Sequence, residues 1–413
     1  MPQFIVNVDR LNKRNAVPES FSDKSSVIGV VNMGFRFEGE EIVGVPNAAP
    51  GPWYKDRDGS VYWGGGLKLV PVVAAPVAQP PAGQPFVAPV AGPGPNVPAV
   101  SQADGKETFK WFADLGVQDI WNAANGTKGE GVRVAVLDTG YRIANKDIIP
   151  ALVGVSIIGA NPDIQDNDFE SALIDDQFGH GNFCSSIIGA RNSLAALVGI
   201  APACELLVGK ISEVGELPVT GLEKIIDGID WAVKNGAEVI SISFGKFANE
   251  LPTEDDYLKK MQQRLDAILT GKNVLIFAAC GDNRPGTIQT KEIYPASLTG
   301  CSSIGATDDG HLSAMTVLSD STLLHAQGIN VEGYFDSETP SKQSGTSMST
   351  PIVAGIAVLA ISHLKKKSGD GKWDAKSLLQ KMYDTGDLVK DAPVKPNVPP
   401  RKLINPGQLF QQL

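Results

Sequence analysis

The sequence predicts an α/β fold, preceded by a small all-β barrel and a Pro/Ala-rich linker, and three observations carry that reading. Residues 132–137 (VRVAVL) form a near-continuous apolar run of the kind a strand buried on both faces requires. Residues 352–360 are almost wholly apolar and suit a core helix. Residues 3–69, by contrast, break into short β-prone runs separated by turn residues.

Taken in order, the first of these runs are FIVNV at 4–8, VIGVV at 27–31, FRF at 35–37 and EIVGV at 41–45. Residues 53–63 (WYKDRDGSVYW) read as a hairpin with Asp58-Gly59 at its turn, because that dipeptide accepts the positive φ a tight hairpin needs. Trp53 and Trp63 would line a peptide or glycan groove or fill the small core. Residues 71–100 are dense in Pro, Ala, Val and Gly, as in Pro80-Pro81-Ala82-Gly83 and Gly92-Pro93-Gly94-Pro95. With few hydrogen-bond donors and little to pack, they read as an extended, semi-rigid linker. The predicted division is a barrel at 3–70, a linker at 71–104, the main domain at 105–395 and a C-terminal tail at 396–413.

The chemistry-bearing residues lie at the ends of the predicted elements. Ser347 stands in Ser344-Gly345-Thr346-Ser347-Met348-Ser349-Thr350-Pro351, among small residues at the start of the apolar helix. Glycine and threonine would let the backbone approach a substrate, and the helix dipole favours developing negative charge. A serine hydroxyl is a weak nucleophile without a base, so a histidine and a carboxylate should occur in matching contexts. Asp138 follows the strand at 132–137, where the carboxyl end of a parallel sheet faces a crevice. His180 is one of four histidines and sits in Phe178-Gly179-His180-Gly181-Asn182, ahead of a short apolar segment at 183–190. Glycine on both sides suggests close approach of a substrate to the ring. In isolation each has a plainer reading: a loop serine, a turn-capping aspartate, a core histidine.

Asp, His and Ser in that chain order, with these contexts, resemble the subtilisin-like serine proteases. Further likenesses run from about residue 115 to 387: Val198-Gly199-Ile200-Ala201-Pro202 resembles a family turn, residues 225–236 the helix before its substrate-binding strand, and Ser241-Ile242-Ser243-Phe244-Gly245 that strand. Tyr294-Pro295-Ala296 and Ile304-Gly305-Ala306-Thr307 match other landmarks. The resemblance implies a three-layer domain with a mainly parallel sheet flanked by helices. It implies a serine endopeptidase in which Ser347 is the nucleophile, His180 the base and Asp138 its orienting partner. Ser243, Phe244, Gly245, Ala279 and Gly281 would bind the substrate. No cofactor is required. The N-terminal segment resembles a bacterial Src-homology-type barrel through Val8-Asp9-Arg10-Leu11-Asn12-Lys13-Arg14 and Val27-Ile28-Gly29-Val30-Val31, which implies a peptide or glycan ligand.

Three departures qualify the likeness. Where the family carries Ala-Ala-Gly-Asn, this chain reads Ala278-Ala279-Cys280-Gly281-Asp282-Asn283. An ungapped match puts Asp282 in the oxyanion position, and a slip of one residue would put Asn283 there. An amide donates to an oxyanion, whereas an ionised carboxylate repels it and a protonated one can still donate. A catalytically weak or silent peptide-binding relative is therefore the alternative function. The family's His-Gly-Thr-His is replaced by His180-Gly181-Asn182-Phe183, which should alter packing and leave catalysis possible. Asp147 matches an aspartate that helps hold a structural calcium in some members, and equally reads as a solvated loop residue beside Lys146.

The resemblance implies protein or peptide partners, and composition bears on the alternatives. With 36 Lys+Arg against 46 Asp+Glu the formal charge is −10, which argues against nucleic acid. No apolar run looks long enough to span a bilayer, and the N-terminus lacks a basic-then-apolar signal pattern, so a cytoplasmic location is expected, or an extracellular one for a trimmed chain. Cys184, Cys204, Cys280 and Cys301 lack metal-like spacing and read as free thiols, which suits a reducing compartment.

Overall fold

The computed structural model describes residues 109–148, 150, 152–154, 176, 178–192, 196–212, 221–252, 256–283, 292–335 and 339–413, with the backbone of seven strands between residues 3 and 69. The chain divides into two compact units, residues 1–92 with 214–217, and the remainder.

In the first unit the seven strands pair antiparallel in the order Val27–Asn32, Arg10–Arg14, Val61–Trp63, Trp53–Asp56, Arg36–Glu41, Gln3–Val6, Leu67–Leu69. Trp53–Asp56 and Val61–Trp63 pair antiparallel with Trp53 opposite Trp63, while the turn expected at Asp58-Gly59 lies outside the described residues. The expected runs at 35–37 and 41–45 are met by one strand, Arg36–Glu41. The expected linker at 71–104 lies outside the described residues.

The second unit is built on a sheet whose main path holds β1 (Arg133–Asp138), β2 (Leu152–Gly154), β3 (Glu205–Lys210), β4 (Val239–Ile242), β5 (Leu275–Ala279), β6 (Cys301–Asp308), β7 (Thr322–Gln327), β8 (Asp387–Leu388) and β9 (Lys402–Leu403), with His311–Leu312 pairing antiparallel to β6 off that path. Their spatial order is β8-β9-β7-β6-β5-β4-β1-β3-β2, and from β2 through β9 every neighbouring pair is parallel. Both faces are covered, and the strands show it: Val134 and Val136 of β1 enter one apolar core while Ala135 and Leu137 enter another. The first core holds α1 (His180–Gly189) and α4 (Thr346–Ser368), and the second holds α2 (Leu222–Lys234) and α3 (Tyr257–Leu269). Three layers result, as the resemblance implied.

Two expectations are corrected here. Residues 396–413 are part of the body, because Lys402–Leu403 adds to the sheet beside β7 and Leu409 of the last helix, Pro406–Gln412, is fully buried. α4 is long and apolar enough to cross a membrane, contrary to the reading that no such run exists. Within its most apolar window 83% is buried inside this fold, which makes it a core helix.

Candidate active site

β1 delivers Asp138 to the carboxyl edge of the sheet, between β3 and β4, where its side chain is fully buried. The Thr139 amide and hydroxyl both donate to Asp138 Oδ1, at 2.8 and 3.3 Å, and His180 Nδ1 lies 2.8 Å from the same oxygen. The Thr139 hydroxyl in turn accepts the Gly181 amide at 2.9 Å, tying the start of α1 to the end of β1. Burial opposes charge on His180, but the attraction of Asp138 outweighs it and holds the imidazole pKa well above the usual range.

The glycines flanking His180 make room for the chain's own backbone. A Cβ on Gly181 would stand 2.3 Å from the Gly140 carbonyl oxygen, and one on Gly179, at φ +99°, 2.3 Å from that of Phe335. Their placement therefore corrects the expectation of close substrate approach: they let the first turn of α1 pack directly on two loops.

Asp176 does more for His180 than the sequence suggested. Its buried carboxylate accepts the amides of Phe178 at 3.0 Å and Gly179 at 2.7 Å through Oδ1, and that of Asn182 at 2.8 Å through Oδ2. A negative charge thus anchors the turn on both sides of His180 and satisfies amides at the positive end of α1. The sequence signal was an aspartate four residues before a histidine, within a turn marked by glycine. Around the ring, Phe244 stands edge-on at 6.0 Å, and Phe178, 39% exposed, packs against Phe335 at 5.7 Å. Phe183 is fully buried against Phe335 and Gly333, so the departure at this position is a packing change.

Ser347 is part of the first turn of α4, which begins at Thr346, six residues before the helix expected at 352–360. Its hydroxyl donates to the Ser243 carbonyl at 3.3 Å, and the Ser243 hydroxyl donates to the Ser347 carbonyl at 2.8 Å. Ser243, Phe244 and Gly245 follow β4, Ala279 ends β5, and Gly281, at φ +90°, turns away from it against Ile293.

The two oxyanion candidates separate clearly. Asp282 Oδ1 accepts the Thr346 amide at 2.8 Å, and a Cβ on Gly345 would meet Asp282 Oδ2 at 2.6 Å. Gly345 therefore makes room for Asp282. Asn283 commits its side-chain amide to the carbonyls of Ala314 at 3.0 Å and Thr316 at 2.9 Å. Asp282 adjoins the turn that carries Ser347, and Asn283 is spent on another loop.

Asp147 is fully buried and its carboxylate accepts the Tyr334 hydroxyl at 3.0 Å, so the solvated-loop reading does not hold. Among the described residues the one group of three or more His, Cys, Asp and Glu with ligand atoms close together is Asp138, His180 and Cys184, and it does not include Asp147. The cysteines are free, three of them buried and Cys301 half-buried. Burial pushes the thiols of Cys204 and Cys301 up to about 12, which makes them unreactive.

Residues 129–392 match the subtilase family. Among curated proteins the chain is 32% identical over 235 residues to M-protease of Shouchella clausii (strain KSM-K16), covering 57% of this chain and 55% of that protein. It is equally similar to subtilisin Savinase of Lederbergia lenta, with 77% of that protein covered, and 32% identical over 247 residues to the major intracellular serine protease of Bacillus subtilis (strain 168), covering 59% and 72%. The chain thus spans about half the length of M-protease. Two solved structures share the fold: the prenylagaramide maturation protease PagA (TM-score 0.53, 23% identity, 72% of this chain and 97% of that one) and MycP1 from the ESX-1 type VII secretion system (0.56, 20%, 73% and 84%). With the match covering well over half its length, and the fold and site as described, the chain belongs to the subtilase family.

Proposed function

We propose that this chain is a serine endopeptidase that hydrolyses peptide bonds of protein substrates through Asp138, His180 and Ser347. The observation that carries the reading is the 2.8 Å contact of His180 Nδ1 with buried Asp138, in a subtilase whose Ser347 opens a core helix. In the neutral ring, with Nδ1–H donated to Asp138, Nε2 keeps its lone pair and can act as base. Ser347 Oγ attacks the scissile carbonyl carbon and its proton passes to Nε2. Collapse of the tetrahedral species expels the amine, which takes that proton, and leaves an acyl-enzyme. Water then repeats the sequence and frees Ser347. The Ser347 amide would meet the oxyanion, joined by Asp282 only when that carboxyl carries a proton. Ser243, Phe244, Gly245, Ala279 and Gly281 would hold the peptide, partly by strand addition.

Selectivity for few partners is supported by the N-terminal unit, read as a Src-homology-type barrel on a Pro-rich linker with a peptide or glycan ligand. A second reading, a silent peptide-binding relative, is favoured by one observation: a carboxylate, Asp282, stands beside the nucleophile turn. Labelling by a fluorophosphonate probe tests both. Labelling of the wild type that vanishes in Ser347→Ala and His180→Ala supports the hydrolase. A folded protein that does not label, and starts to label as Asp282→Asn, supports the weak or silent relative.

A further inference from the structure

Lys246 starts a short strand, Lys246–Phe247, which pairs antiparallel with Ile293–Tyr294. Only 9% of this lysine is exposed, and among the described residues its ammonium makes no hydrogen bond or ion pair. Nζ is not one of the unpartnered atoms sealed inside the fold, so the tip of the side chain meets solvent while the stem is covered. Burial pushes its pKa below the ordinary lysine range; the charge of Glu250 opposes the shift, and that carboxylate is engaged by the Phe247 amide at 2.9 Å. A largely desolvated cation without a partner is costly, and it is expected where a ligand supplies the missing charge. Its direction follows from its neighbours. Gly245 has its open side on Ile293, whose Cγ2 lies 2.4 Å from where a Cβ would stand. Along extended backbone the residues on either side, Phe244 and Lys246, share the opposite face, and on that face Phe244 reaches His180 with ring centroids 6.0 Å apart.

We propose that Lys246 is a specificity-determining residue that pairs with an Asp or Glu side chain of the substrate, about three residues to the N-terminal side of the scissile bond. The spacing follows from the chain: Ser243 is hydrogen-bonded to Ser347, and Lys246 stands three residues on, roughly 10 Å of extended backbone. The side follows from strand addition, because a peptide that pairs antiparallel with Ser243–Gly245 runs toward Ser347 as this segment runs away from it. The substrate carboxylate accepts from the ammonium in place of water, and a peptide that lacks it leaves the cation unpaired in the occupied cleft. The formal charge of −10 on the whole chain would by itself favour basic peptides, so a preference for acidic ones needs a local cation.

This inference rests on the peptidase reading above, and its test separates the two. A randomised peptide library is digested by the wild type, Lys246→Met and Lys246→Glu, and the cleaved sites are read by mass spectrometry. Each protein is scored by the ratio of Asp and Glu to Asn and Gln at every position, so that a general loss of activity cancels. The wild type should favour the acids by about 10-fold or more at one position about three residues before the cut; Lys246→Met should bring that ratio to about 1, and Lys246→Glu should favour Lys and Arg there. Independently of turnover, immobilised Ser347→Ala should retain acidic peptides of the library over their amide counterparts, and Ser347→Ala/Lys246→Met should not. Equal acidic preference in the wild type and Lys246→Met, or none in the wild type, overturns the subsite and leaves Lys246 as a stem that covers apolar surface. Wild type that cleaves nothing counts against the hydrolase instead, and the retention measurement then decides the subsite alone.

Discussion

The Ser347 carbonyl accepts the Ser243 hydroxyl at 2.8 Å because Pro351, one helical turn on, has no N–H to give it. A proline inside a core helix would ordinarily leave that oxygen without a partner. Here the bond from Ser243 also joins the end of β4 to the nucleophile turn. Removing the hydroxyl in Ser243→Ala leaves that carbonyl only the weaker Cys184 thiol, at 3.7 Å, and should cost about 1 kcal/mol. Pro351→Ala restores an amide to the carbonyl, so the cost of Ser243→Ala should shrink in that background. A double-mutant cycle by denaturant unfolding, in Ser347→Ala protein to prevent self-cleavage, measures this; additive costs would show that the two residues do not serve one carbonyl.

Asp282 Oδ1 is held as an acceptor by the Thr346 amide, an arrangement an asparagine oxygen would keep. What changes in Asp282→Asn is the second atom, from a carboxylate oxygen to an amide donor beside Gly345. The substitution should raise kcat/KM at neutral pH, on the order of 100-fold, the scale on which losing such a donor acts in subtilisin. Labelling rate or peptide hydrolysis measures the change. No gain would mean that Asp282 already donates as the protonated acid.

Where each candidate group is set by its own segment, its place in the fold was legible in the sequence. Asp138 ends an apolar run, His180 stands in a glycine-marked turn, and Ser347 precedes a buried helix, so local pattern located all three. What local pattern could not resolve was which atoms face which. The glycines around His180 and at Gly345 announce that something comes close, but the neighbour proved to be Gly140, Phe335 or Asp282. Whether Asp282 or Asn283 meets the nucleophile turn depends on carbonyls about thirty residues on, at Ala314 and Thr316. The final segment was misread because its apolar residues, Leu403, Ile404 and Leu409, are few and become informative once a sheet edge is there to receive them.

Asp176 touches no reacting atom, yet it fixes the turn that presents His180. Asp176→Ala frees three amides at the start of α1, and because small displacements of a catalytic group cost about 100-fold, kcat should fall by roughly that factor with KM little changed. Asp176→Asn keeps an acceptor for Phe178 and Gly179 and should recover part of the loss. If both variants lowered stability and left kcat alone, Asp176 would be a structural cap without influence on the base.

His325, buried on β7 against Gly305, should make the fold sensitive to acid. Burial foremost, helped by the nearby Arg401 guanidinium, pushes its pKa down to about 4 from the ordinary 6.5. Between those values the unfolded chain binds a proton that the folded chain refuses, so the contribution is complete above pH 6.5 and is lost progressively as pH falls toward 4. A shift of this size corresponds to about 3 kcal/mol at the acid end. Denaturant unfolding of Ser347→Ala from pH 7 to pH 4 should show that slope, and Ser347→Ala/His325→Leu, which fills similar space with nothing to protonate, should be flatter. Equal slopes in the two proteins would assign the acid sensitivity to other groups.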